Sequence, residues 1–396
     1  MKPACTVCGS EALRRSLDLG RQPPSNRFLA PNDEIDDLYP LSLGDCADCG
    51  TVQLVDRLPI DAIRPRFDWL SNNEPEGHLD DLVDKVAGLP GVSRDSRFLG
   101  LSFKDRSTLD RLARRGFARA GSIDGADLVQ DGRPFGLETL QCALSDPATV
   151  ERLRRERGPV DVVVARHIVE HAESAAKFLA GARGLLERGG RLVLEFPDNA
   201  RLLRGNGHAF VWEEHFSYFT AASFRGLAAR AGAVVERLER YPYQHEDALV
   251  AVLRFDPAAA APAPAADAAA QADLHRFAAS FPAARARWQV ELSRLADAGR
   301  KLAVFGAGHL SVKLVNFMGL APWLDCVIDD HPAKAGLRMP GSRLPIVPSA
   351  MLAARGIDTC ISTLSPESEL RVRARLADFF GRGGCFLPAF DTPQDA

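Results

Sequence analysis

Nowhere in the 396 residues do about 18 apolar side chains run together, the length a helix needs to cross a bilayer. The first residues, Met1 to Cys5, hold no apolar leader. An excess of charge is also missing. Forty-nine basic residues against 52 acidic ones leave a formal charge of −3, and the arginines are scattered along helical stretches, so neither nucleic acid nor another polyanion is an expected partner. No heptad seam or exposed apolar stripe marks a strong oligomer, so a monomer or weak dimer is expected. The expectation is a cytoplasmic protein off the membrane, too long for a single core and therefore built of two or three domains.

The eight cysteines, with no secretory leader, read as thiols or metal ligands rather than a disulfide framework. Four of them form two C-x-x-C-G turns, Cys5-Thr6-Val7-Cys8-Gly9 and Cys46-Ala47-Asp48-Cys49-Gly50. Each turn aims two thiolates and nearby amides at one ion, and the pair makes a closed four-sulfur zinc site: Cys5, Cys8, Cys46 and Cys49. With no open coordination position, that metal would hold a small domain together and catalyse nothing. The other reading of the same residues is a redox pair or four unrelated thiols. The spacing is long for a zinc ribbon, so Leu19 to Tyr39 is expected to be an insertion. The aromatic-polar stretch from Phe67 to His78, with Trp69 and Asn72, is either the lip of a ligand mouth or an ordinary connection into a helix from Leu79 to Ala87.

The middle of the chain alternates strand and helix. Phe98 to Leu101 reads as a strand, Ser102 to Thr108 as a loop, Leu109 to Arg115 as a helix, and Ala118 to Ile123 as a second strand. A nucleotide-binding loop normally carries glycines at this place, yet none follows Gly100 before the helix. Asp124 could hold a ribose or simply be a turn residue. Asp161 to Ala165 is a β-branched strand, Ile168 to Leu186 has helical apolar spacing stopped by Glu187-Arg188-Gly189-Gly190, and Arg191 to Pro197 is the next strand. Such a βαβ unit binds ligands beyond the carboxyl ends of its strands. Trp212-Glu213-Glu214-His215-Phe216-Ser217-Tyr218-Phe219 follows, rich in titratable and hydroxyl groups. His167 and His171 have a metal pair's i, i+4 spacing, although His167 closing a strand suits a place beside cofactor or substrate better.

Residues 257–272 are alanine and proline with hardly any apolar bulk, which predicts a tether. A long helix from Leu274 to Leu295 follows, then a strand at Lys301 to Phe305, a Gly306-Ala307-Gly308 turn, a helix from Leu310 to Met318 and the strand Cys326 to Ile328 ending in Asp329 and Asp330. This is dinucleotide-fold order without the third glycine, so NAD is not expected.

The whole chain resembles the sugar-nucleotide C-methyltransferases of deoxysugar biosynthesis. The resemblance rests on the two C-x-x-C turns, Ala165-Arg166-His167-Ile168-Val169-Glu170-His171, Leu194-Glu195-Phe196-Pro197, Glu214-His215-Phe216-Ser217-Tyr218-Phe219, and the phrase Asp329, Pro332, Lys334, Gly336, Pro340-Gly341 and Leu344-Pro345-Ile346. It implies a zinc-binding segment over 1–77, a Rossmann-like methyltransferase core over 78–256, the 257–272 linker and a second Rossmann-like domain over 273–396. The implied cofactor is S-adenosylmethionine, held by Gly100, Ser102, Asp105, Asp124, Arg166 and His167. The implied substrate is a nucleotide-linked keto-deoxysugar, contacted by Trp69, Asn72, Trp212, Gly306, Gly308 and His309. In the family's Y-H-E-H-x-x-Y cluster, Trp212 and Glu213 replace the first tyrosine and histidine, and the family's G-x-N-D-G loop reads Gly100-Leu101-Ser102-Phe103-Lys104-Asp105-Arg106. Lys104 would set a positive charge near the sulfonium.

Methylating a sugar carbon requires removal of the proton next to the ketone and a donor for the developing oxyanion. His215 suits the base, Glu214 orients it or acts itself, and Tyr218 or His78 donates to the oxyanion. The same residues also fit a helix cap with a buried histidine behind it. The departures in the loop leave other readings open: a descendant that no longer binds S-adenosylmethionine and enolises, isomerises or epimerises a sugar nucleotide, or a non-catalytic binding protein of such a pathway.

Overall fold

A computed structural model describes residues 3–33, 37–67, 74–129, 131–256, 258, 262–263 and 265–390. The strands, in chain order, are β1 (Leu13–Gln22), β2 (Tyr39–Cys46), β3 (Val52–Asp56), β4 (Phe98–Gly100), β5 (Ala120–Ser122), β6 (Val160–Arg166), β7 (Leu186–Asp198), β8 (Ser217–Tyr218), β9 (Ala233–Tyr241), β10 (Asp247–Phe255), β11 (Leu302–Phe305), β12 (Leu324–Ile328), β13 (Ile346–Val347), β14 (Thr359–Ser362) and β15 (Cys385–Pro388). Two compact units emerge: Met1–Ser16, Leu43–Arg201 and Glu214–Leu274 make the first, and Leu17–Ser42, Leu202–Glu213 and His275–Ala396 the second.

The core of the first unit is a six-stranded sheet ordered β5-β4-β6-β7-β10-β9. Its inner strands run parallel, and β10 returns antiparallel to both β7 and β9. Val162, Val163, Val164 and Ala165 of β6 are all buried, as a central strand covered on both faces must be. One face packs Val162, Val164, Val193 and Val250 against the helix Leu79–Ala87, whose Leu79, Leu82, Val83 and Val86 are buried at helical spacing. The other face carries Val163, Leu192 and Leu194 against Phe178 and Leu179. Since β5 lies on one side of β4 and β6 on the other, the sheet's switch point, where loops part and a crevice opens, is beyond the ends of β4 and β6.

The crossover after β6 differs from the sequence expectation. His167 takes a left-handed backbone at φ 49°, which turns the chain sharply into a short 3₁₀ turn, Val169–His171. The α-helix begins only at Ala175, capped by the Ser174 hydroxyl, and ends at Gly184. Glu187 to Gly190, expected to stop that helix, instead belong to β7, whose pairing with β6 jumps from Leu186 to Arg191.

The second unit holds a wholly parallel sheet ordered β13-β12-β11-β14-β15. The expected domain limits at 77, 256 and 272 do not mark these units. The cysteine turns pack into the first unit: Thr6 donates its amide to Gln53 at 3.0 Å, shares a hydroxyl contact with Ser217 at 2.8 Å, and accepts from Ala176 at 3.3 Å. The expected tether is partly helical, because Asp267 caps the Ala270 amide at 3.0 Å and the alanines that follow are strong helix formers, so the helix runs Ala268–Asp297.

Candidate functional site

The four cysteine sulfurs of the two turns meet. Cys5 and Cys49 lie 3.6 Å apart, as do Cys8 and Cys46, and all four ligand atoms fall within 4.8 Å of one another. Four sulfurs about 2.3 Å from a zinc stand about 3.8 Å apart along a tetrahedron's edge, so the cradle fits that ion. The trailing glycines make the turns possible: Gly9 and Gly50 adopt φ of 75° and 72° and return their amides to the carbonyls of Cys5 and Cys46. A further ladder leads away from these turns. Val52 pairs with Tyr218 and Gln53 with Ser217, Leu54 donates to the Phe216 carbonyl at 3.0 Å, and Phe216 donates to the Glu170 carbonyl at 2.8 Å.

Near the carboxyl ends of β6 and β7, Glu195 is the hub of a buried polar cluster. Its buried carboxylate accepts from Arg166 Nε at 2.5 Å and Nη2 at 3.3 Å, contacts His167 Nε2 at 2.9 Å, and faces His78 Nε2 at 3.2 Å. The charges on His167 and Arg166 outweigh burial and hold Glu195 well below the usual carboxylate range. Burial likewise opposes charge on His167, but Glu74 and Glu195 raise it to about 10. His78 is fixed on its other side by the Tyr243 hydroxyl, 2.7 Å from Nδ1. The expected oxyanion donor thus holds Tyr243 at one ring nitrogen and faces the Glu195 carboxylate, without a hydrogen bond, at the other.

A second group lies alongside. Rings of His171 and His215 meet edge to face, centroids 4.7 Å apart at 88°. Glu170 sits with them, 1% exposed, its two carboxylate oxygens in no hydrogen bond and the His167 Nδ1 at 3.4 Å from one of them. Burial, then His215 and Lys104, hold the His171 ring well below the usual imidazole range, and burial raises Glu170. Tyr218 is buried in β8, its ring 6.4 Å from that of His215. Glu214 is nearly buried and bonds to His171 through its backbone. The unit boundary falls directly before it, so Trp212 and Glu213 of the expected cluster belong to the second unit.

The loop after β4 is closed on itself. Asp105 takes the amides of Leu101 and Ser102 at 2.8 Å each and the amide of Arg166 at 2.7 Å, and burial raises it to about 7 against those bonds. Ser102 caps Lys104 with its hydroxyl at 3.2 Å. Gly100 is required because a Cβ there would lie 2.8 Å from the Asp105 Cβ and 2.9 Å from Leu109. Gly100, Ser102 and Asp105 therefore build the loop, and the acceptor expected to meet a cofactor is engaged by backbone. Asp124, exposed, caps the Ala126 amide at 3.0 Å. Lys104 pairs with Glu74 at 3.1 Å, which offsets the repulsion expected toward a sulfonium. Trp69 and Asn72 lie outside the described residues.

In the second unit, Trp212 and His309 stack at 4.3 Å and 17°, so two expected substrate contacts do come together. The Gly306–Gly308 turn does not present free amides to a pyrophosphate as expected. Gly306 donates to Ile328, Ala307 to Asp329 and Gly308 to the Ser311 hydroxyl, because Asp329 and Lys334 clamp the turn from the end of β12. Glu213 forms a fully buried ion pair with Lys313, supported by Ser25 and by the Pro23 carbonyl.

Sequence reasoning quoted Glu170 and Glu195 but assigned them no role. The chemistry of an acid at a strand end was the signal available. Glu74, which burial opposes but His167 and Lys104 lower to about 2, carried no motif. Tyr243 and Glu246, the latter raised to about 8 by burial and by Glu74, carried none either.

A largely parallel sheet ending in an antiparallel hairpin, with a polar cluster at its switch point, defines a methyltransferase-type α/β domain. Comparison with known families agrees. Residues 5–63 match “Putative zinc binding domain”, residues 80–238 “Methyltransferase domain”, and residues 263–390 “C-methyltransferase C-terminal domain”. The three matches follow one another along the chain. It is 23% identical over 223 residues to the C-methyltransferase NovU of Streptomyces niveus, matching 55% of this chain and 53% of that protein, so it spans about half the length of that curated relative. LepI in complex with S-adenosylmethionine is 16% identical, covering 44% of this chain and 46% of LepI, at a TM-score of 0.30. The 1,6-didemethyltoxoflavin-N1-methyltransferase of Burkholderia thailandensis is 14% identical, covering 45% and 77%, at 0.30. At such scores these likenesses carry no functional weight. Among the described residues no helix is long and apolar enough to cross a membrane.

Proposed function

We propose that the protein transfers a methyl group to a carbon of a nucleotide-linked keto-deoxysugar, with proton removal at the His171–His215 end of the crevice. The observation that carries this reading is the meeting of two imidazoles with a buried carboxylate at the switch point of a methyltransferase-type sheet. S-adenosylmethionine, when bound, supplies an electrophilic methyl group on a cationic sulfur. The residues of this chain that face such a charge include Glu74 and Glu195, both ionised in the neutral range. His215, or Glu214 beside it, takes the proton next to the ketone, and the electron pair moves to the ketone oxygen. Arg166 and Glu195 lock the floor of the crevice, since Arg166 also donates to the Lys104 carbonyl at 2.8 Å.

Calorimetric titration with S-adenosylmethionine and S-adenosylhomocysteine tests the cofactor, and His215→Gln tests the chemistry. Binding of both ligands and loss of turnover in the variant are expected. Full turnover in His215→Gln removes the assignment. A second reading, a relative that has lost the cofactor and performs another proton transfer on a sugar nucleotide, draws support from the Asp105 carboxylate occupying the loop amides of Leu101 and Ser102. No heat with either ligand would favour it.

A further inference from the structure

Glu170 poses a problem that a proton alone does not solve. Its carboxylate is 1% exposed and neither oxygen accepts a hydrogen bond, the nearest positive group being His167 Nδ1 at 3.4 Å from one of them. A neutral carboxyl group would still leave a buried hydroxyl donor and a buried carbonyl acceptor unsatisfied. Ligand atoms of Glu170, His171 and His215 all lie within 4.8 Å of one another. Backbone holds them there: the 3₁₀ turn Val169–His171 presents the first two, and Phe216, next to His215, donates its amide to the Glu170 carbonyl at 2.8 Å.

We propose that Glu170, His171 and His215 bind one divalent transition-metal cation, separate from the four-cysteine site. Two imidazoles and one carboxylate are an open set that leaves positions for water or substrate, unlike the closed thiolate set, and their hardness suits iron(II), manganese, cobalt or zinc. A cation about 2.1 Å from each ligand atom brings those atoms roughly 3 to 3.5 Å apart. Small side-chain rotations from the present spacing suffice. Glu74, Lys104 and His167 face the same space; Glu74 offsets the Lys104 ammonium, and Glu170 supplies the negative charge opposite the cation. Resting on the proposed function, the cation's open positions receive the ketone oxygen and hold its negative charge as the enolate forms. His215, bound through one ring nitrogen, then does not accept a proton at that nitrogen, and proton removal passes to Glu214.

The full chain, stripped of all metal with a strong chelator and refilled by titration with cobalt(II), tests the site directly. Wild type is expected to take up two equivalents. One gives thiolate-to-cobalt charge-transfer bands, and the other gives only the weak ligand-field bands of nitrogen and oxygen ligands. Glu170→Gln and His215→Gln should each lose the second equivalent, with affinity down by more than the 10–100-fold that loss of an outer partner costs. Retained thiolate bands report that each variant is folded. A single equivalent in wild type, or two undiminished equivalents in a folded Glu170→Gln, overturns the proposal. Because this readout needs neither substrate nor S-adenosylmethionine, a chain that binds the cofactor but one cobalt sinks the cation site and leaves the methyl-transfer reading standing.

Discussion

Replacing Glu195 by Gln keeps the side chain's shape while removing the charge at the hub of the buried polar cluster. Arg166 would then retain only neutral partners within hydrogen-bond range, the Lys104 carbonyl at 2.8 Å and the Ser107 hydroxyl at 3.2 Å. The Glu76 carboxylate, 3.5 Å away, is 42% exposed and screened. Leaving a buried guanidinium without its counter-ion costs about 3–5 kcal/mol. For a domain of roughly 150–250 residues each kcal/mol moves the melting temperature by about 2–4 °C, so the variant should melt roughly 6–20 °C lower. Thermal unfolding followed by circular dichroism reads this. The control is Glu239→Gln, which breaks a pair with Lys85 whose side chains are 31% and 33% exposed and should cost no more than about 1 kcal/mol. If Glu195→Gln melts together with that control, the buried-hub argument is wrong.

Removing zinc with a strong chelator, or Cys49→Ser, should unfold the amino-terminal turns and abolish activity, because a structural zinc contributes about 10–16 kcal/mol against a net stability of about 5–15 kcal/mol. Metal analysis and proteolysis of the metal-free chain check it, and an intact, protease-resistant metal-free protein would contradict it. Lys313→Met, which leaves Glu213 charged and buried, should destabilise by about 3–5 kcal/mol in denaturant unfolding. Asp105 supplies the pH test. Its folded value is about 7, above the ordinary value of about 3.9, so the folded state holds a proton that the unfolded state releases. Its contribution is therefore largest below pH 4 and falls by up to about 4 kcal/mol as pH rises to 7. Asp105→Asn should flatten that slope; an unchanged pH profile in the variant would refute the assignment.

The α/β layout was legible because Val162 to Ala165 and the Leu79–Ala87 spacing carry their burial in their own residue types. The cysteine site was legible for a similar reason, since each C-x-x-C-G turn is a local structure. What escaped was non-local or conformational. Asp105 reads as a free acid in a loop until its carboxylate is seen on three backbone amides. The helix after β6 was expected to start seven residues too early, at Ile168, since apolar spacing continues through the left-handed turn at His167 and the 3₁₀ turn behind it. The separation of Glu213 from Glu214 into different units has no sequence mark at all.

The two-residue ladder between β3 and β8 has a consequence for any attempt to dissect the molecule. Trimming the protein to its central α/β part would remove the edge on which Ser217 and Tyr218 are laid, and His215 would lose its footing although no catalytic group had been deleted. The metal-binding turns are thus a foundation poured under the His215 segment, and a stable truncation has to keep turns and core together.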